Sequence, residues 1–471
     1  MKTYEDLLAV KDNEKELKLF LKAAINEHKQ SELYKTADTA YAYFKKRNIT
    51  IERYQKLLYT MSGDAVPDNF SANYKLKNAL FRIFVLQEVS HLLGNGVTFN
   101  TSEVKDRLGG DRFDTQIVKL TKKACWGAVS FGFFNFDHVD VFSVLEFVPF
   151  FGEEDGGLHA GLRFWQLDDT KPLRITLYEK DGYTEYIERD KNLEILKPKR
   201  TYTQIVRTTE RDGDEILDGQ NYSAFPIVPL WANDDHQSEF VGLREKLDCH
   251  DLIESGFAND LDDASQIYWT LQNTGGMDDI DLAKFVERMH VIKAAVVENE
   301  GQAQAHTIEV PYEARTVLLS QLRDSLYRDA MALDTDKITA GNVTATAIEA
   351  SYENLTLKCD DLEVGVTEFI KRLLDLIGID DSPTYKRSKI INMAEDTQMV
   401  LSAAQYLDDE TILKHLPFLN PDEIDDILKR KNLEEAERYV QVSQEEVVEE
   451  ENPVDENGNI SVSDLARLIG R

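Results

Sequence analysis

The sequence predicts an α+β fold, mainly helical, from three observations. Ile348, Tyr352, Leu355, Cys359, Leu362, Val366, Phe369, Leu373 and Leu376 recur at spacings that alternate between four and three, the pattern of one long amphipathic helix. Between about residues 124 and 230 the texture changes to short runs of Val, Ile, Phe, Tyr and Thr, split by Gly156-Gly157, Asp181-Gly182 and Asp212-Gly213. Such runs and breaks mark antiparallel hairpins. Residues 5–60, and most of the chain after Pro229, return to helical spacing.

Along the chain, residues 5–60 mix Lys, Glu and Ala with periodic apolar positions and should form helices. Residues 73–93 carry Leu76, Leu80, Phe84, Val85, Leu86 and Val89 and stop at Gly94, which predicts a largely buried helix with a glycine end signal. Residues 239–264 place Leu243, Leu247, Phe257 and Leu261 on one face, interrupted by His250 and Glu254, as expected of a helix facing both neighbours and water. A compact α/β insertion should come next, with strands at Ile267–Leu271, Val291–Val297 and His306–Val310, a Gly275-Gly276 turn, and a helix near Asp281–Met289. The next helix runs from Tyr312 to Leu333. A short polar run, DTDKITAGNVTA, joins it to the long helix, which Gly378 closes. Asn420-Pro421-Asp422-Glu423 reads as a helix start. From Gln441 to Glu456 there are seven acidic residues and no basic one, the pattern of a solvated tail.

The 471 residues suggest two to four domains. Lys+Arg 54 against Asp+Glu 86 gives a net charge of -32, which argues against a protein that grips phosphates through a broad basic surface. With 42% hydrophobic residues the acidity does not signal wholesale disorder. Cys125, Cys249 and Cys359 lie far apart with no CxxC pair, so neither a disulfide framework nor a zinc ribbon is suggested. The N-terminus lacks the apolar core of a signal peptide, and the richest apolar stretch, Val141–Phe151, is too short for a membrane span. A soluble product of a reducing cytoplasm is expected.

No GxxxxGK[ST], HExxH, GxSxG or GxGxxG run occurs, which removes the common ATPase, zinc-peptidase and hydrolase readings. His250 sits beside Cys249 and Asp251 at adjacent helix positions that point in different directions, so a seam histidine is the simpler reading. Asp260, Asp262 and Asp263 could hold a hard cation in a metal-dependent nuclease. The plainer reading is a solvated helix end. VDENGNISVSD, from Val454, approaches a calcium loop, but Pro453 stands where the first carboxylate is needed. No metal and no cofactor is expected.

Four strings, in order, resemble the portal proteins of tailed bacteriophages, in particular those of long-noncontractile-tailed phages of Gram-positive hosts. NYKLKNALFRIFVLQEVSHLLGNGVTF is similar to the family's N-terminal helix and strand. HDLIESGFANDLDDASQIYWTLQNTGG resembles its first stem helix running into the clip. IEVPYEARTVLLSQLRDSLYRDAMALDTDKITAGNVTATAIE resembles the second stem helix, the tunnel loop and the start of the long wing helix. LDDETILKHLPFLNPDEIDDILKRK resembles the entry to the crown. Gly96 departs from the pattern, standing where the family often has proline, and residues 124–230 match by texture alone.

The resemblance implies a wing over 1–238, stem helix 1 over 239–265, a clip over 266–310, stem helix 2 over 311–333, a tunnel loop over 334–345, a long wing helix over 346–382, a crown over 383–440 and an acidic tail over 441–471. It further implies a ring, usually of twelve subunits, at one capsid vertex in the virion, made in the host cytoplasm. Double-stranded DNA passes through its channel, and the terminase large subunit, the head-to-tail adaptor, and the major capsid and scaffolding proteins are its partners. No enzymatic activity is implied. By position, Thr335, Lys337, Thr339, Gly341, Asn342 and Thr344 would face DNA, and Ile267, Trp269, Leu271, Val291 and Ile292 would form the surface for motor and adaptor. The acidity fits a conduit: DNA carries one charge per ~1.7 Å, so a negative wall lets it slide rather than stick.

Overall fold

Four helices open the chain, each started by a side chain that accepts a backbone N–H of its first turn: α1 (Tyr4–Val10) by Thr3, α2 (Glu14–Gln30) by Asn13, α3 (Glu32–Phe44) by Ser31 and α4 (Ile49–Arg53) by Asn48. The structure is a computed structural model that describes residues 2–59, 63–68, 71–209, 213–264, 268–272, 302–306, 312–339, 345–388, 393–416, 419, 424 and 426–433. A short hairpin, β1 (Leu57–Tyr59) and β2 (Ala65–Pro67), comes after α4. The buried helix α5 (Leu80–Leu93) begins later than its apolar pattern predicts, because residues 72–79 form neither helix nor strand and give alternate N–H groups, those of 74, 76 and 78, to Asn259, Ser255 and Asp251. β3 (Val97–Phe99), α6 (Ser102–Arg107) and α7 (Asp111–Gly127) lead into the sheets.

The hairpin reading of 124–230 holds. β4 (Val129–Asn135) and β5 (His138–Ser143) are joined by β13 (Ile227–Trp231) in the order β13-β4-β5. β6 (Phe147–Phe151), β7 (Leu158–Trp165), β8 (Arg174–Glu179), β9 (Gly182–Arg189) and β10 (Asn192–Arg200) form an antiparallel meander. β11 (Thr203–Thr209) and β12 (Gly213–Gln220) make a separate hairpin. The meander packs its inner face, Val148, Phe150, Leu162, Ile175 and Leu177, against Phe20, Leu21 and Ile25 of α2.

α8 (Arg244–Ala264) starts five residues after the predicted boundary at 239. Leu243 and Leu247 are buried as expected, whereas Leu261 is exposed and Phe257 half-buried under the Arg315 guanidinium. β14 (Tyr268–Gln272) and β15 (Gln302–His306) pair antiparallel; of the strand placed at His306–Val310, His306 ends β15 and the rest lies outside the described residues. The strand Val291–Val297 and the helix near Asp281–Met289 fall outside the described residues. α9 (Tyr312–Asp329) ends before the predicted Leu333, and α10 (Thr335–Thr339) is a single helical turn inside the expected loop. The long helix α11 (Ala345–Ile377) ends at Gly378, whose φ of +69 suits glycine. β16 (Pro383–Tyr385) pairs with β3.

A first compact unit comprises Met1–Ser388 and a second Lys389–Arg471. Residues 383–388, which the resemblance groups with the crown, thus belong to the first. The second contains α12 (Met393–Ala403) and α13 (Asp409–His415), the latter started by Asp408. The predicted start at 420–423 lies outside the described residues.

The core of the first unit forms where α11 meets the sheet β13-β4-β5. Phe369 lies on Gly132 so closely that a Cβ there would sit 2.4 Å from its ring, and Gly365 lets α11 approach the Trp231 carbonyl oxygen to 2.6 Å from the place of a Cβ. Both glycines exist for close approach rather than for a turn.

Candidate nucleic-acid interface

The loop assigned to DNA begins on a rigid base. Leu326, Ala330 and Leu333 are buried, the Gln87 amide donates to the Leu333 carbonyl at 2.9 Å, and Lys358 donates to the Ala330 carbonyl at 3.2 Å. From that base α10 is drawn back on α9 by crossed ion pairs. Arg323 contacts Asp334 at 3.3 Å and also Asp336, while Lys337 contacts Asp324 at 2.8 Å. Asp324 has its pKa lowered, chiefly by the hydrogen bond from Lys337. The loop's cation is therefore neutralised within its own subunit, a pairing that the sequence reading omits.

Of the other predicted loop residues, Thr335 and Thr339 open and close α10, while Gly341, Asn342 and Thr344 lie outside the described residues. Of the clip residues, Trp269 and Leu271 stand in β14 opposite Ala305 and Ala303, and Ile267, Val291 and Ile292 lie outside the described residues.

Beneath the loop is a buried charge cluster that pattern reading misses. Lys358 of α11 reaches Glu239 at 2.7 Å and Glu88 of α5 at 3.0 Å, with its side chain 11% exposed. Burial works against the lysine's charge, but the two carboxylates overcome it and its pKa is raised. Glu88, wholly buried, is pushed up to about 7 by desolvation and by Glu239, with Lys358 opposing. The cluster joins α5, α11, the approach to α8 and, through Ala330, the end of α9.

α8 is held on its other side by polar contacts. Asp251, Ser255 and Asn259 are buried one turn apart and accept the backbone N–H groups of Asn78 at 3.1 Å, Leu76 at 3.0 Å and Tyr74 at 2.6 Å. The match is geometric: two extended residues advance ~6.6 Å and four helical residues ~6 Å. Asp251 also accepts from the Asn48 amide at 2.8 Å, and Asp248 from Thr50 at 2.8 Å. Lys75 and Lys77 fold back onto Glu52 at 2.8 and 2.7 Å. Asp251→Ala is expected to destabilise the chain by about 3 kcal/mol, because it orphans several buried donors at once. Urea unfolding checks the loss, and faster hydrogen exchange at the amides of 74, 76 and 78 checks its origin.

Of the acidic residues weighed as a metal site, Asp260 is engaged elsewhere, and the side chain of Asp263 lies outside the described residues. Asp260 pairs with Arg315 of α9. Among the described residues the one group with metal-ligand geometry is His250, Asp251 and Glu254, and both Asp251 oxygens already accept hydrogen bonds. No helix of the described residues is long and apolar enough to cross a membrane.

Comparison with known proteins fits this arrangement. The portal protein of Clostridium phage phiCD119 is 31% identical over 303 residues, 61% of this chain and 63% of that protein. The chain thus spans somewhat under two thirds of that relative's length. The portal protein of Bacillus phage SPP1 is 22% identical over 431 residues, 85% of this chain and 83% of that protein. Among solved structures, the virion of a native gene transfer agent particle gives a loose likeness, with a TM-score of 0.43 and 12% identity over 73% of this chain and 91% of that one. The match to the family described as phage portal protein, SPP1 Gp6-like, runs from residue 23 to residue 437 and so takes in the sheets, α8, α9, the loop and α11: the chain belongs to that portal family.

Proposed function

We propose that this chain is the repeating subunit of a portal ring at one vertex of a phage capsid. The ring conducts double-stranded DNA during packaging and ejection, and it docks first the terminase large subunit and then the head-to-tail adaptor. The observation that carries this reading is the family match from residue 23 to residue 437. A net charge of -32 supports it, because a negative channel repels the duplex from its wall. The chain supplies no ATP-hydrolysing loop, so the motor must bring its own. A nuclease built on Asp260, Asp262 and Asp263 is disfavoured by the ion pair that occupies Asp260. Electron microscopy of the purified chain is expected to give annular particles of about twelve subunits. A chain that stays monomeric or dimeric at every concentration and salt would overturn the reading.

Within that ring, residues 334–345 form the constriction and residues 266–310 the surface for motor and adaptor. The Lys337–Asp324 pair is exposed and contributes little to stability. Its role is to keep one cation per subunit away from phosphate. Asp324→Asn unmasks that cation, so DNA retention in the channel should become steeply salt-dependent, by about 0.9 units of slope for each contact made. Packaging into purified procapsids should slow at low salt. Lys337→Ala removes the cation and should leave the low-salt rate at the parental value.

A further inference from the structure

α5 is buried nearly all round, and α7 and α11 each pack on it. On the outer face of α7 the cations prevail: Arg112 and Lys119 are exposed and Lys122 half-buried at helical spacing, against the one exposed carboxylate Asp111. At the N-terminal end of α7 the β4–β5 turn presses its Asp137 carbonyl against Gly109, where a Cβ would come within 2.8 Å. That turn holds Phe136 72% exposed, at φ +62. Its N–H donates to the Tyr222 hydroxyl at 3.0 Å, which fixes the conformation. A bulky residue held at positive φ costs about 1–3 kcal/mol, and within this subunit no burial of the ring offsets it.

The outer face of α11 is the opposite in character. Val364, 58% exposed, lies in a groove of about 790 Å³ lined by Asp360, Glu363, Thr367, Glu368 and Lys371 among others. Leu357, 56% exposed, extends the apolar strip two turns towards the N-terminus. Around the strip the exposed carboxylates Glu353, Asp360, Asp361, Glu368 and Asp375 outnumber the cations Lys371, Arg372 and Arg387, the last of which pairs with Asp360 and Glu363.

We propose that Phe136 and the basic face of α7 in one subunit dock into the acidic, apolar-floored groove on α11 of the next. The two surfaces are separate and opposite in charge, and one offers an aromatic knob while the other offers an apolar floor. That is what a head-to-tail contact between copies needs, and such contacts close into rings. The inference rests on the ring reading above and assigns the residues that join its subunits.

The test measures assembly of the full chain against its concentration, by gel filtration with light scattering at low and high salt. Three variants are compared with the parent: Phe136→Ala, the pair Lys119→Glu with Lys122→Glu, and the pair Glu368→Lys with Asp375→Lys. Each is expected to raise the concentration for half-assembly about tenfold or more. Combining the two charge-reversed pairs should restore it to within about threefold of the parent. Unchanged thermal midpoints of the unassembled chains would show that these surface changes leave the fold intact. A parent that forms rings, with all three variants assembling at the parental concentration, overturns this contact and leaves the ring reading standing. Impaired variants that the charge swap does not restore overturn it too, since each face then serves some other partner. A parent that never assembles overturns both readings together.

Discussion

Lys358→Met is expected to destabilise the first unit at neutral pH by about 3–5 kcal/mol, because Glu239 loses its counter-charge and the buried Glu88 must take up a proton. That loss is a large fraction of a typical domain's stability. The cause is testable apart from lost packing. In Lys358→Met with Glu88→Gln and Glu239→Gln no buried charge remains, so most of the stability should return. Urea unfolding of the full chain, followed by near-ultraviolet circular dichroism, reads both. An equal loss in the single and triple variants would mean that the lysine matters as filler and not as a charge.

The same cluster sets a pH dependence. Desolvation raises the Glu88 pKa to about 7 from an ordinary value of 4.5, so the folded chain binds this proton more tightly than the unfolded one. The stability linked to it is fully present below about 4.5 and is lost as pH rises through about 7. The groups facing Glu88 are Lys358 and Asp361 from α11, Glu239 before α8, and the thiols Cys125 and Cys359, both held protonated by burial. Glu88→Gln should abolish this slope, leaving the melting temperature flatter than the parent's between pH 5 and 8.

Gly365→Ala is the second large effect. A methyl at this position would lie 2.6 Å from the Trp231 carbonyl oxygen, a backbone atom that cannot swing aside. Either α11 lifts from β13 or the edge of the sheet bends, and overpacking of this kind costs about 1–3 kcal/mol. Alanine is the better helix former by about 1 kcal/mol, so intrinsic propensity predicts the opposite sign. A melting temperature that falls in Gly365→Ala supports the close approach. A rise would show that the helix and strand do not press together there.

These two sites mark the limit of sequence reading. Helix α11 was legible because its nine apolar positions keep one face for its whole length, and Gly378 ends it by a local rule. The hairpin at Asp181-Gly182 was legible for the same reason, whereas the β9–β10 turn is made by Asp190 and Lys191, both at positive φ, and carries no glycine to announce it. Lys358 was illegible because its burial depends on carboxylates 119 and 270 positions away in the chain. A lysine on a helix otherwise reads as surface. The pairing of Lys337 with Asp324 was hidden in the same way, since a cation in a polar loop looks free until the fold returns the loop to α9. The false helix at 73–79 has the most instructive cause. Leu76 and Leu80 keep helical spacing, but the N–H groups that a helix would leave unpaired in its first turn find acceptors on α8, far along the chain. Extended backbone wins because those acceptors are themselves buried and need donors.

That contact has an evolutionary corollary. α8 contributes side chains to it, while the extended segment contributes mainly backbone, so the two partners are under unequal selection. Positions 251, 255 and 259 can drift only among residues that keep an acceptor of similar reach. Positions 74 and 76 can drift to any residue except proline, which has no N–H to give. Among diverging relatives the segment should therefore lose recognisable similarity long before the helix it grips.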